Sequence, residues 1–141
     1  MPFRYLDHEA EIGVLSTGRT LEEAFADGAR GMLEVMVDVA TISPDEVVPF
    51  ECAAADLPSL FIALLNELLY QMETRRLFFA DVVIRAVDTD ASGHRLTGEA
   101  RGERIDLEKH AVRTEVKAPT YYGLLVERVG EEYWVRCVLD V

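Results

Sequence analysis

From Thr20 onward, apolar or small side chains return every third or fourth position: Leu21, Ala24, Phe25, Gly28, Ala29, Met32, Leu33 and Met36. That spacing puts them on one face of an α-helix packed against a core. TLEE at 20–23 predicts its start as a capping box, with Thr20 as N-cap and the Glu23 side chain reaching back to the Thr20 amide. A second helix is predicted over residues 57–74, capped by Asp56 and tolerating Pro58 in its first turn. Its apolar stripe, Leu60, Phe61, Leu64, Leu65, Leu68, Leu69 and Met72, is wide enough to make it the central core helix.

Elsewhere the period drops to two or the apolar runs become short, as in strands. Residues 3–6 and 12–17 read as two short strands around an acidic cluster. ISPDE (42–46) is a turn, and VVPFECAA (47–54) a strand whose Pro49 cannot donate to a ladder, which places it at an edge or a bulge. Residues 77–87 and 95–101 flank the polar turn DTDASGH and form a predicted hairpin. TEVKAPTYY and GLLVERV are strand-like. After a turn around Gly130, Trp134, Arg136 and Val138 alternate with Tyr133, Val135, Cys137 and Leu139 as on a strand with two different faces. The expectation is one α+β domain over residues 1–141, two helices packed against mainly antiparallel sheet.

Composition narrows the function classes. At 141 residues and half hydrophobic, the chain is long enough for a core without metal or disulfide staples. The most apolar window, LFIALLNELLY, meets Asn66 and Glu67 well before it spans a bilayer. MPFRYLDHEAE lacks a secretion signal's basic-then-apolar pattern, so a cytoplasmic location is expected. Cys52 and Cys137 lie far apart in apolar stretches and read as small buried hydrophobes, with no C-x-x-C motif. A net charge of −12, with basic residues scattered, argues against direct tracking of a nucleic-acid backbone. Work near RNA would then run through a protein partner; plain solubility is the alternative meaning of the acidity.

The candidate chemistry gathers at two places. In LDHEAEIGV, Asp7, His8, Glu9 and Glu11 fall within five positions. On a strand the three carboxylates share one face and repel each other unless a cation or solvent lies between them. At the other end, Leu139-Asp140-Val141 closes a strand, bringing the Asp140 side chain and the last residue's carboxylate to one place. If the first and last strands are neighbours, Asp140, Val141 and Glu9 or Glu11 converge. Hard oxygens of that kind suit calcium, magnesium or manganese over zinc or copper. The second place is GERIDLEKH (102–110), with Glu103, Asp106, Glu108, Lys109 and His110, where a polar loop opened by Gly102 is the commoner explanation. Asp106, His110 and Lys117 are accessory candidates, as are Asp7, His8 and Glu9. No nucleophile elbow, P-loop or H-E-x-x-H motif occurs, and His94, in a hairpin turn, receives no role.

The segments LDHEAEIGV, TLEEAFADGARGMLEVMVD, LLNELLYQMET, RGERIDLEKH, EVKAPTYYGLLVE and the closing LDV stand in the order found in the archease family, which this chain resembles over nearly its whole length. The resemblance implies an α+β fold and a non-enzymatic role: a protein cofactor of the GTP-dependent RNA-splicing ligase of the RtcB type. Such a cofactor promotes ligase guanylylation and multiple turnover in tRNA splicing and RNA repair. It also implies a divalent-metal site, usually calcium, which carried over by position falls on Glu11, Asp140 and Val141, with His8 beside them. Here Glu9 stands where the family usually has Thr, and Glu11 where it has Asp. Glu11 keeps the carboxylate but carries it about 1.5 Å further from the backbone. Pro119 and Tyr122 replace an aliphatic residue and a His. Two other readings stay open on the sequence: a stand-alone metal-dependent hydrolase with His8 or His110 as base, and a generic acidic chaperone or adaptor.

Overall fold

The structure, a computed structural model, describes residues 11–141. The predicted strand at 3–6 and the candidates Asp7, His8 and Glu9 lie outside the described residues. Chain order is β1 (Glu11–Gly18), α1 (Leu21–Met36), a 3-10 turn (Val39–Thr41), β2 (Glu46–Ala54), α2 (Leu57–Arg75), β3 (Leu77–Asp90), β4 (Gly93–Arg104), β5 (Ala118–Val129) and β6 (Glu132–Asp140). The strands form two antiparallel three-stranded sheets, ordered β1-β6-β5 and β2-β4-β3. Each helix touches both: α1 packs on β1, β6 and β3, and α2 on β5 and on β2, β4 and β3. Hence α2 is apolar round most of its circumference, burying Leu60, Phe61, Ile62, Leu64, Leu65, Leu68 and Met72.

The helix starts follow from their caps. Thr20 Oγ1 accepts from Glu23 N at 3.1 Å, and Asp56 Oδ1 from Ser59 N at 2.8 Å. The capping box is shifted by one residue from expectation. Glu23 Oε2 accepts from the Arg19 amide at 3.0 Å, so the carboxylate closes off the residue before the cap. α2 stops at Arg76, whose left-handed backbone (φ 59) lets its N–H bond back to Met72 O. The helices meet where Gly28 sits against the Phe61 ring, and Phe25 and Phe61 stack edge to face at 5.2 Å. Ser16, buried at that junction, gives its hydroxyl proton to Ala24 O at 2.9 Å.

Three strand boundaries differ from the pattern-based expectation. β2, with Pro49, lies at a sheet edge as predicted. β4 continues through Gly102 to Arg104, so Gly102 does not open a loop. A β3 irregularity between Phe79 and Asp81 brings the Phe78 carbonyl so close that a Cβ at 102 would overlap it, and only glycine keeps the strand running. β5 begins at Ala118, four residues later than TEVKAPTYY suggests. The preceding stretch is instead held by single backbone bonds, Arg113 N to Met36 O and Lys117 N to Asp140 O, both 2.8 Å. Finally, TYY and GLL are one strand with a large bulge: between the pairs Thr120–Val138 and Leu125–Arg136, four residues of β5 stand against Cys137 alone.

Candidate functional site

β1 and β6 run side by side, and Glu11 stands directly opposite Asp140. Along β6, Val135, Cys137 and Leu139 are buried towards the helices, so Arg136, Val138 and Asp140 take the other face. Paired positions share a face, which makes Glu11, Asp140 and Ala118 one row across the outer side of this sheet. The next row is Gly13, Val138 and Thr120. The floor around the two carboxylates is therefore built of small side chains, and a Cβ at Gly13 would touch nothing within 4 Å. Val141 follows β6, with its side chain half-buried against the core.

Two polar atoms here lack partners among the described residues. Asp140 Oδ1 is fully covered and accepts no hydrogen bond; Thr120 Oγ1 is likewise covered and unpaired. Glu11 and Asp140 form no ion pair among the described residues. A buried carboxylate oxygen left unpaired costs about 1–3 kcal/mol or more. A cation among hard oxygens would remove that cost. Among the described residues the set is two carboxylates and no more: no group of three or more His, Cys, Asp or Glu gathers as metal ligands.

Asp106 and His110 belong to a different cluster. His110 is buried, not part of a solvated loop, and its ring packs edge-on against Phe78 at 5.3 Å. Its Nδ1 accepts from Asp106 N at 3.0 Å, which leaves the ring proton on Nε2, 2.8 Å from Glu103 Oε1. Both ring nitrogens are thus engaged. Glu103 also accepts from Ser43 N at 3.0 Å and pairs with Lys109 Nζ at 2.6 Å. The Lys109 ammonium first, then the Ser43 amide and His110, hold its carboxyl at about 2. The cluster ties the loop after β4 to the segment before β2, a structural knot whose key acid, Glu103, the sequence placed in this segment but gave no role. Its signal was present seven residues before His110, but only the fold puts the two in contact. Lys117 connects the two regions: its amide bonds to Asp140 O, and the residue lines a groove of mixed character with Met72, Glu73, Phe78, Ile105 and Glu115.

Residues 3–141 match the model of the Archease protein family. The chain belongs to the archease family. Protein archease of Thermococcus gammatolerans is 40% identical over 133 residues, 94% of this chain and 93% of that one. Protein archease of Sulfolobus acidocaldarius is 36% identical over 139 residues, 99% of this chain and 98% of that one. Among solved structures, the solution structure of Methanobacterium thermoautotrophicum protein 1598 superposes with a TM-score of 0.80 at 33% identity, covering 96% of each chain. The crystal structure of an archease from Thermotoga maritima gives 0.65 at 20% identity, covering 100% of this chain and 98% of that one, and shows the shared fold. The two-sheet, two-helix architecture is thus an archease fold, and the Glu11–Asp140 row lies at one end of its β1-β6-β5 sheet. No helix among the described residues is long and apolar enough to cross a membrane.

Proposed function

We propose that this archease-family protein is an accessory activator of a GTP-dependent RNA-splicing ligase of the RtcB type, working in the cytoplasm and promoting ligase guanylylation and multiple turnover. The observation that carries the site reading is the Glu11–Asp140 pairing with Asp140 Oδ1 covered and unpaired. Glu11, Asp140 and a main-chain oxygen of Val141 would hold a divalent cation, calcium foremost, with magnesium or manganese as alternatives. When bound, such an ion supplies a positive centre that neutralises the carboxylates and can assist phosphoryl chemistry.

The protein's own residues would do the rest by docking. The strand end presents acids, suited to the basic surroundings of a nucleotide-using active site. Tyr121 and Tyr122, exposed in the β5 bulge just past Thr120, add the aromatic surface that protein interfaces favour. The partner is a protein and not RNA directly, in keeping with the net charge of −12.

The test is a guanylylation assay with a matched ligase. The intact protein should accelerate formation of the ligase–GMP adduct, and Asp140→Ala should remove most of that acceleration. Melting of Asp140→Ala without metal should be unchanged or raised, because an unpaired buried oxygen disappears. A ligase indifferent to the intact protein would overturn the proposal.

A further inference from the structure

The covered, unpaired hydroxyl of Thr120 has no part in the ligand set implied by family resemblance, nor in the core. It lies on the same outer face as Asp140, one row along, and diagonally across the β5–β6 pair: Ala118 is opposite Asp140 and Thr120 opposite Val138. Diagonal neighbours of this kind have Cα atoms about 7–8 Å apart, which leaves room for one ion or one ion-bound water between a short hydroxyl and a carboxylate. Both atoms are shielded from solvent, and neither has a partner among the described residues. Two such orphans on adjacent strands are hard to explain separately, since buried hydroxyls in folded proteins are nearly always paired. A common guest between them removes both penalties.

The backbone explains why this hydroxyl is fixed. Thr120 is the last residue in register before the bulge, where four residues face Cys137 alone. The bulge is pinned to β6 on its far side, Arg136 Nε donating to Gly123 O at 2.9 Å, with Gly123 in the left-handed region (φ 72). Thr120 thus stands on the rigid, paired side of the break, where a β-branched side chain has few rotamers.

We infer that Thr120 is a positioning residue of the cation site, its Oγ1 offering a further hard oxygen to the ion or to an ion-bound water beside Asp140. The inference rests on the cation reading above, and the experiment separates the two. Calcium chloride, with magnesium and manganese chlorides in parallel, is titrated calorimetrically into the wild type and into Asp140→Ala, Thr120→Val, Thr120→Ala and Thr120→Ser, each checked for fold by circular dichroism. The wild type should bind and Asp140→Ala should not. Thr120→Val and Thr120→Ala should bind about tenfold more weakly or worse, while Thr120→Ser, which keeps the hydroxyl, should stay within about threefold of the wild type, as direct replacement of one donor by the same donor requires. Wild-type affinity in folded Thr120→Val or Thr120→Ala would overturn the role of Thr120 and leave the cation site standing. Absence of binding by the wild type for all three ions would overturn both.

Discussion

Glu103 is the most heavily partnered carboxylate described, and its chemistry sets a pH dependence. Its carboxyl is held at about 2 against an ordinary 4.5, chiefly by Lys109, then by the Ser43 amide and His110. A group whose folded value is depressed contributes stability that is fully present above its ordinary value and lost as pH falls through the folded one. The Glu103 contribution should therefore be complete above about pH 4.5 and fade between there and about 2. Thermal melts across that window should show a falling midpoint for the wild type and a shallower fall for Glu103→Gln. Equal slopes in the two proteins would mean that the knot adds nothing measurable. At the same scale, both cysteines are buried and free, and burial pushes the Cys137 thiol up to about 11, while burial with the nearby Glu67 and Glu51 pushes that of Cys52 to about 12.

At the scale of elements, the α1–α2 crossing is tightly packed. A Cβ on Gly28 would come within 2.7 Å of the Phe61 ring and 2.9 Å of Ser16 Oγ. Alanine in place of glycine gains about 1 kcal/mol of helix propensity. Overpacking a tight core costs about 1–3 kcal/mol, and Phe61 is fully buried with nowhere to swing. Gly28→Ala should therefore destabilise by up to about 2 kcal/mol in urea unfolding, the overpacking cost less the propensity gain. This is also where the sequence was most legible. Periodicities of three and four are set by one face of one element, so both helices, their caps and their buried stripes could be read directly. The β3–β4 hairpin and the edge position of Pro49 followed from short-range rules as well. What stayed hidden depends on contacts distant in sequence: Gly102 inside β4, the late start of β5, the bulge that joins TYY to GLL, and the pairing of Glu103 with His110. The Glu11–Asp140 meeting was legible only as a condition, because spacing does not reveal which strands are neighbours. Thr120 was invisible for the same reason.

On the scale of the whole molecule, charge is unevenly used. Arg30, Arg85, Arg95, Arg101, Lys109 and Arg113 are each paired to an acid. These exposed pairs add little stability each. The described carboxylates at the end of the β1-β6-β5 sheet have no such counterions.

The interruption in β5 has a consequence for how copies of this chain behave towards one another. β5 borders its sheet, and an unbroken strand there would offer a ladder of free amides and carbonyls as a template for a neighbour's strand. The extra residues crumple that border in its middle, so no long straight template survives. Deleting Tyr121, Tyr122 and Gly123 would bring Leu124 opposite Cys137 and straighten the border. The shortened protein should form thioflavin-positive fibres on concentration while the parent remains dispersed; a deletion variant that stays equally dispersed would show that the kink is not what keeps neighbours apart.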